Sequence, residues 1–301
     1  MVAATSAGGH GGLLLVHAHP DDETVATGGT IAHYIAQGRR VTVVTCTRGD
    51  QGRVAVPDLQ HLTADADDEL GPYRAGELRE ALAALGVSDA LYLVAEGRYR
   101  DSGRMGIPAN DRPDAFWQAD LDEAGGWLAA LIRDRRPGVV VTYDPNGGYG
   151  HPDHIQAHRV TMRAIDMAGD GSAAVAGLPW RTPKVYWCAV PHDVIVADLV
   201  ALAARNDLPA GMWVDTNPGE YPDGVHPDAA ISAELDVSHV VDRKRAALMA
   251  HRTQLTVEGD YWVLASGRGM RIQPTEWFLR VRPEGSAVRE NDLFAGLPEL
   301  A

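Results

Sequence analysis

The sequence predicts an α/β fold: a doubly wound, mainly parallel twisted sheet flanked by helices. Three observations carry that prediction. Over the first 170 residues, short apolar runs rich in Val and Leu alternate with stretches of helical period, the pattern of a parallel sheet with crossover helices. Two His-Pro-Asp turns, at 19–21 and 151–153, each follow such an apolar run closely; open sheets carry their ligand sites outside the carboxyl ends of their strands. The chain has 301 residues, 45% of them hydrophobic, enough to bury a sizeable core.

The elements follow in order. GLLLVHA (12–18) is a buried-strand run, and HAHPDDE (17–23) leaves it. GGTIAHYIAQG (28–38) predicts a helix stopped by Gly38. RVTVVTC (40–46) is β-branched and apolar, a second buried strand. YRAGELREALAALG (73–86) is amphipathic, with Leu78, Leu82 and Leu85 on one face and Gly86 at its end. ALYLV (90–94) is a strand, LDEAGGWLAALIRDRRPG (121–138) a helix closed by Pro137, VVVTY (139–143) a strand and DHIQAHRVTMRAIDMA (153–168) a helix. GDGSAAVAGLPWRT (169–182) is a linker of small residues. Beyond it the pattern weakens: KVYWCAV (184–190) and AISAELDV (230–237) predict strands, and 192–205 and 238–252 predict helices. The division expected is a flexible tail at 1–12, a core at 13–170, and a C-terminal α/β extension at 171–301 that packs on the core and roofs its site.

Composition narrows the function classes. The formal net charge is −14 and the isoelectric point about 5.2, which argues against nucleic acid, since a phosphate backbone needs a basic face. No apolar run reaches the length of a membrane span. The small-residue N-terminus, MVAATSAGGHGG, lacks the basic start and apolar stretch of a secretory signal. Cys46 and Cys188 both sit in β-like runs and read as free thiols. Together these features point to a cytoplasmic protein with no cysteine-based metal site.

The chemistry concentrates in the two His-Pro-Asp loops. A catalytic zinc site takes three protein ligands and leaves a position open. In HPDDE, His19, Asp21 and Asp22 allow one acid to bind metal while its neighbour stays free. In GHPDH, His151 and His154 lie one helical turn apart, so one ring suits a metal and the other a substrate. The bland alternative is a pair of polar turns with Asp22 and Asp153 as helix caps, but two such turns on one predicted sheet edge exceed what capping needs. His33, His61, His158, His192, His226, His239 and His251 lack an acidic partner in a matching loop and read as structural or surface residues. His17 shares strand parity with Leu13 and Leu15 and reads as a hydrogen-bonded core residue. The first βα turn has no G-x-G-x-x-G, and the chain has neither a phosphate-binding P-loop nor a G-x-S-x-G elbow. NGGYG (146–150) lets the backbone turn tightly beside a ligand.

At these residues the chain resembles the PIG-L/LmbE family of zinc-dependent N-acetyl sugar deacetylases, which carry H-P-D-D-[DE] after the first strand and H-x-D-H later. Here the motifs stand as His19-Pro20-Asp21-Asp22-Glu23 and His151-Pro152-Asp153-His154. The resemblance runs from about residue 13 to 168, through VHAHPDDE, TIAHY, VVTCT, LTAD, RDSG and VVVTYDPNGGYGHPDH, and more loosely to the C-terminus. Within the family it is to the mycothiol-pathway members.

The resemblance implies a Rossmann-like, LmbE-like core and one Zn²⁺ per chain, with Fe²⁺ equally suited to the donors. His19, Asp22 and His154 would hold the metal. Asp21 would take a proton from water, His151 or Tyr149 would steady the oxyanion, and Asp153 would orient His151. Asp21 and His151 both stand as the acid for the leaving amine. Arg74, Asp101 and Asn146 would contact the substrate, a small amino sugar. The reaction implied is removal of the N-acetyl group from 1-D-myo-inosityl 2-acetamido-2-deoxy-α-D-glucopyranoside; the alternatives are a mycothiol S-conjugate amidase or another N-acetylglucosaminyl deacetylase. Arg53 stands where the resemblance implies an acid, and 190–275 matches poorly.

Overall fold

The computed structural model describes residues 11–208, 211–214, 225–284 and 288–298. In chain order, the first half runs β1 (Leu13–His17), α1 (Asp22–Ala36), β2 (Val41–Thr45), α2 (Leu70–Leu85), β3 (Asp89–Tyr92), α3 (Leu121–Arg135), β4 (Val139–Thr142), the single turn α4 (Gly147–Gly150) and α5 (Pro152–Gly169). The second half adds β5 (Lys184–Pro191), α6 (His192–Ala203), β6 (Val225–His226), β7 (Ala233–Asp236), α7 (Val241–Ala250), β8 (Leu255–Glu258), β9 (Tyr261–Leu264), β10 (Gly269–Arg271) and β11 (Thr275–Arg282).

The main sheet has the order β3-β2-β1-β4-β5-β11-β7. Strands β3 to β5 of that order are parallel, with Leu13 beside Val41 on one side and Val139 on the other. β11 runs antiparallel to both β5 and β7. The predicted α/β architecture with a mainly parallel sheet is therefore what the chain adopts. The chain leaves β1 towards β2 and leaves β4 towards β5, so the crevice between β1 and β4 is the topological switch point where open sheets bind ligands.

The strand alternation builds two core layers. Leu13, Leu15, Val41, Val43, Val139 and Val141 face α1 and α2, meeting Ile31, Tyr34, Leu78, Leu82 and Leu85. Leu14, Val16, Val44 and Val140 face α3 and α5, meeting Leu128, Ile132, Ala157, Val160 and Ala164. Both faces are covered, so the strands are continuously apolar rather than alternating. Tyr186, Ala233, Leu235 and Phe278 from the second half join the first layer.

Helix α1 begins six residues before the predicted Gly28 start, directly at Asp22. Gly28 and Gly29 lie inside it because the second half packs there: a Cβ on Gly29 would stand 2.4 Å from Val237 Cγ2. Helix α2 stops at Gly86, in the left-handed conformation (φ 88°). Asp120 caps α3 by accepting from the N–H groups of Asp122 and Glu123, both at 2.9 Å. The small antiparallel sheet β10-β9-β8 and strand β11 were not anticipated.

Of the expected tail, residues 1–10 lie outside the described residues, whereas Gly11 and Gly12 are buried, and Gly12 O accepts from Gly138 N at 2.9 Å. Cys46, buried, and Cys188, half-buried, are both free. Among the described residues no helix is long and apolar enough to cross a membrane.

Candidate active site and metal centre

The turn after β1 and the segment after β4 converge at the switch point. His19 Nδ1, Asp22 Oδ2 and His154 Nε2 form a nearly equilateral triangle: 3.2 Å from His19 to Asp22, 3.3 Å from His154 to Asp22, and 3.3 Å between the two imidazoles. Ligands of a tetrahedral zinc at its usual bond lengths stand roughly 3.3–3.4 Å apart. The donor set and its spacing therefore fit a tetrahedral divalent cation.

Each ring is turned to present the required lone pair. His154 Nδ1–H donates to Gly147 O at 3.1 Å, leaving Nε2 facing the triangle. That carbonyl is in place because Gly147 adopts φ 63°, and Tyr143 stacks on the ring at 4.3 Å. His19 Nε2–H donates to Asp153 Oδ2 at 3.1 Å, leaving Nδ1 facing the triangle. Such outer hydrogen bonds fix the tautomer and orientation of metal-binding histidines. Asp22 heads α1, and its Oδ2 also accepts from the His19 backbone N–H at 2.9 Å.

Two other groupings come within metal-binding range: His19 with His151 and His154, and His19 with Asp101 and Asp153. The second uses His19 Nε2, which Asp153 already engages, with Asp101 Oδ1 3.5 Å away. These two acids thus support the ring on its far side from the triangle.

The electrostatics match a cation site. Burial lowers the His19 pKa, but Asp101, Asp153 and Asp22 outweigh it and hold it well above the imidazole range. Burial likewise pushes Asp22 up, and His154 and His19 overcome it, holding the carboxyl well below its usual range. Asp101 is held low against burial by His19, His151 and the Gly103 N–H. A divalent cation held here would displace these protons.

Asp21 sits beside the triangle in a strained backbone conformation, φ 119° and ψ −34°. A non-glycine residue held there costs about 1–3 kcal/mol. Its carboxylate lies 3.2 Å from Arg74 Nη2. Burial raises its pKa to about 6, against the pull of Arg74 and with the help of Asp22.

Several predicted residues have different neighbours from those expected. The Asp153 carboxylate does not reach His151: its Oδ2 takes His19 Nε2–H and Ser102 N–H, and Asp153 meets His151 through its own backbone N–H, which donates to His151 Nδ1 at 3.2 Å. His151 is the N-cap of α5. Burial and the charges of His19 and His154 push its pKa down to about 2. Arg74 is only 3% exposed. Its donors Nη1 and Nη2 go to Gly49 O at 2.7 Å, to Pro20 O and to Asp21, so it braces the HPDD turn. Asp101 is also committed, accepting from Gln51 N and Gly103 N. Asn146 is exposed and donates to Gly148 O at 3.1 Å, bracing its own turn. Tyr149 is 53% exposed, its ring 5.0 Å from that of His154.

Three histidines read as bland have acidic partners after all: His192 pairs with its neighbour Asp193 at 2.9 Å, and two others pair across the fold. His251, after α7, is fully buried and bonds Glu23 Oε1 through Nε2 at 2.9 Å. His226, on β6, lies 3.2 Å from Asp144 Oδ2. These last two pairings join segments distant in sequence, and no local pattern announces them. His17, by contrast, is the buried core residue its parity predicts, bonded to Thr27 Oγ1 at 2.9 Å.

A doubly wound α/β sheet with a His/Asp cation site at its switch point defines a metal-dependent hydrolase class, and comparison with known proteins agrees. The GlcNAc-PI de-N-acetylase (PIG-L) family model matches residues 14–165. The chain is 51% identical to a 1D-myo-inositol 2-acetamido-2-deoxy-alpha-D-glucopyranoside deacetylase of Geodermatophilus obscurus, covering 95% of this chain and 98% of that one. A protein of the same name from Acidothermus cellulolyticus is 50% identical, over 95% and 94% of the two chains. Among solved structures, the N,N'-diacetylchitobiose deacetylase of Pyrococcus horikoshii has the same fold, with a TM-score of 0.54 at 19% identity over 80% of this chain and 69% of that one. The chain belongs to the PIG-L deacetylase family, hydrolases of amide C–N bonds.

Proposed function

We propose that this chain is a zinc-dependent N-deacetylase that hydrolyses the N-acetyl group of 1D-myo-inositol 2-acetamido-2-deoxy-α-D-glucopyranoside to the free amine and acetate, a step of mycothiol formation in the cytoplasm. The observation that carries the reading is the 3.2–3.3 Å triangle of His19 Nδ1, Asp22 Oδ2 and His154 Nε2 with Asp21 at its side. The substrate follows from the relatives that share about half their residues with nearly the whole chain.

His19, Asp22 and His154 would hold the metal, which when bound supplies a Lewis acid and acidifies water. Asp21 accepts a proton from the attacking water. Burial raises its pKa only to about 6, so it is ionised at neutral pH, as a general base must be. His151 accepts a backbone N–H at Nδ1 and is held neutral, so its remaining proton lies on Nε2. That N–H donates to the acetamide oxygen as negative charge develops, with the exposed Tyr149 hydroxyl available from the same loop, two residues earlier. A neutral imidazole with a depressed pKa has no proton to spare for the amine. Asp21 therefore returns the proton it took to the leaving nitrogen, acting as base and then acid.

The test is a metal-defined activity panel. Chelation should abolish acetate release from the inositol pseudodisaccharide, and Zn²⁺ or Fe²⁺ should restore it. The reconstituted enzyme should favour that substrate over a mycothiol S-conjugate and over N-acetylglucosamine. Full activity in the stripped protein, or preference for the S-conjugate, overturns the reading.

A further inference from the structure

We propose that Glu23 and His251 form a buried positioning pair that holds Asp21 in its reactive conformation, making the C-terminal half part of the proton-transfer machinery. The inference rests on the reading of Asp21 as the proton-transfer residue. Asp21 is a non-glycine residue at φ 119°, a conformation that persists only where its surroundings over-determine it. The constraints can be followed bond by bond. The Asp21 carbonyl accepts from Thr24 N and Val25 N as α1 begins. The Asp21 N–H, on the other side of the strained bond, donates to Glu23 Oε2 at 3.0 Å.

Glu23 is fully buried, and a carboxylate there needs partners for both oxygens. Its second oxygen, Oε1, accepts from His251 Nε2 at 2.9 Å and from Thr24 Oγ1 at 2.5 Å. His251 is itself fixed: its backbone N–H donates to Leu248 O at the end of α7, and its carbonyl accepts from Gln254 and Leu255. The path from His251 to the Asp21 N–H takes two hydrogen bonds in space, the first of them joining His251 to Glu23 across 228 residues of sequence. Neither Glu23 nor His251 belongs to the ligand triangle, so their effect falls on the geometry of the base.

A merely structural ion pair makes a different prediction from a positioning pair. Replacing both partners of a buried pair by apolar residues is often neutral for stability. Glu23→Leu with His251→Leu should therefore keep the melting temperature near that of the parent and one metal per chain, yet lower kcat about 100-fold at unchanged KM, the scale of a displacement of about 1 Å in a reacting group. His251→Gln, which keeps a donor for Glu23, should stay within about threefold of the parent kcat. Glu23→Asp keeps the charge paired but withdraws its carboxylate from the Asp21 N–H. It should lose kcat with metal and KM preserved, and it decides the matter if the double variant does not fold. Parent-like kcat in a folded double variant or in Glu23→Asp overturns the proposal, as does a loss in His251→Gln equal to theirs. Asp21→Asn, assayed in parallel, separates the two failures. If it stays active, the reading of Asp21 is wrong; if it is inactive while the pair variants are active, only the positioning proposal falls.

Discussion

At the scale of single residues, the site divides between groups that face the ligand triangle and groups that aim them. His154→Ala and Asp22→Ala each remove a corner of the triangle, so metal content, read by atomic spectroscopy, should fall with activity. Asp21→Asn removes no corner. It should retain one metal per chain while kcat drops about 10²–10⁴-fold, the usual share of a general base; loss of metal instead would mean that Asp21 and Asp22 exchange roles. Asp153 offers a finer test. Its bond to His19 Nε2 fixes the ring, so Asp153→Asn should weaken metal affinity about 10–100-fold, measured by competition with a chromophoric chelator. Unchanged affinity would return Asp153 to the role the sequence implies, as the partner of His151. The residues of the triangle were legible because they lie in two short motifs. The direction of Asp153 was not, since it depends on which imidazole stands opposite Oδ2, and spacing is silent on that.

At the scale of elements, most strands and helices of the first half could be read from period and punctuation: Leu78, Leu82 and Leu85 all lie buried against the sheet, and Gly86 ends its helix. The misreading of α1 has a physical cause. Gly28 and Gly29 look like a break, but they are helical positions pressed by Lys244 and Val237, side chains more than 200 residues away. β11 escaped notice because it is an interior strand with consecutive buried residues Trp277 and Phe278, so it has no alternation to recognise. The turn α4 carries the prediction proper to this scale. Gly147 combines φ 63° with a position where a Cβ would lie 2.6 Å from both His154 Cβ and Ile155 N. Gly147→Ala must therefore move the turn off the helix start and withdraw the carbonyl that orients His154. Metal affinity should fall at least as far as in Asp153→Asn, while urea unfolding shows a loss of about 1–3 kcal/mol. A variant with the parent's metal affinity would show that this carbonyl does not set the His154 ring.

At the scale of the whole molecule, the family model ends at residue 165, yet the helix that begins with Asp22 is anchored by residues well beyond it. Glu276, on β11, accepts from the α1 backbone at Gly29 N (2.9 Å) and Thr30 N (2.8 Å) and from Lys244 Nζ of α7 at 2.7 Å. Both charged side chains are 4% exposed. The second half thus grips α1 at its middle through Glu276 and near its start through His251. This agrees with relatives that match the chain over 95% of its length rather than over the first half alone. A buried pair of this kind gives an asymmetric response to mutation. Glu276→Leu leaves the Lys244 ammonium buried without its counter-charge and should cost about 3–5 kcal/mol in urea unfolding. Adding Lys244→Met to that variant removes the stranded charge and should recover most of the loss, even though the amide donors of α1 lose their acceptor in both. If the single variant costs less than about 1 kcal/mol, the surface-pair range, then β11 and α7 do not hold α1 through this contact, and the integrity of the motif helix comes from its apolar packing with β1, β2, Leu82, Val237 and Ala247 instead.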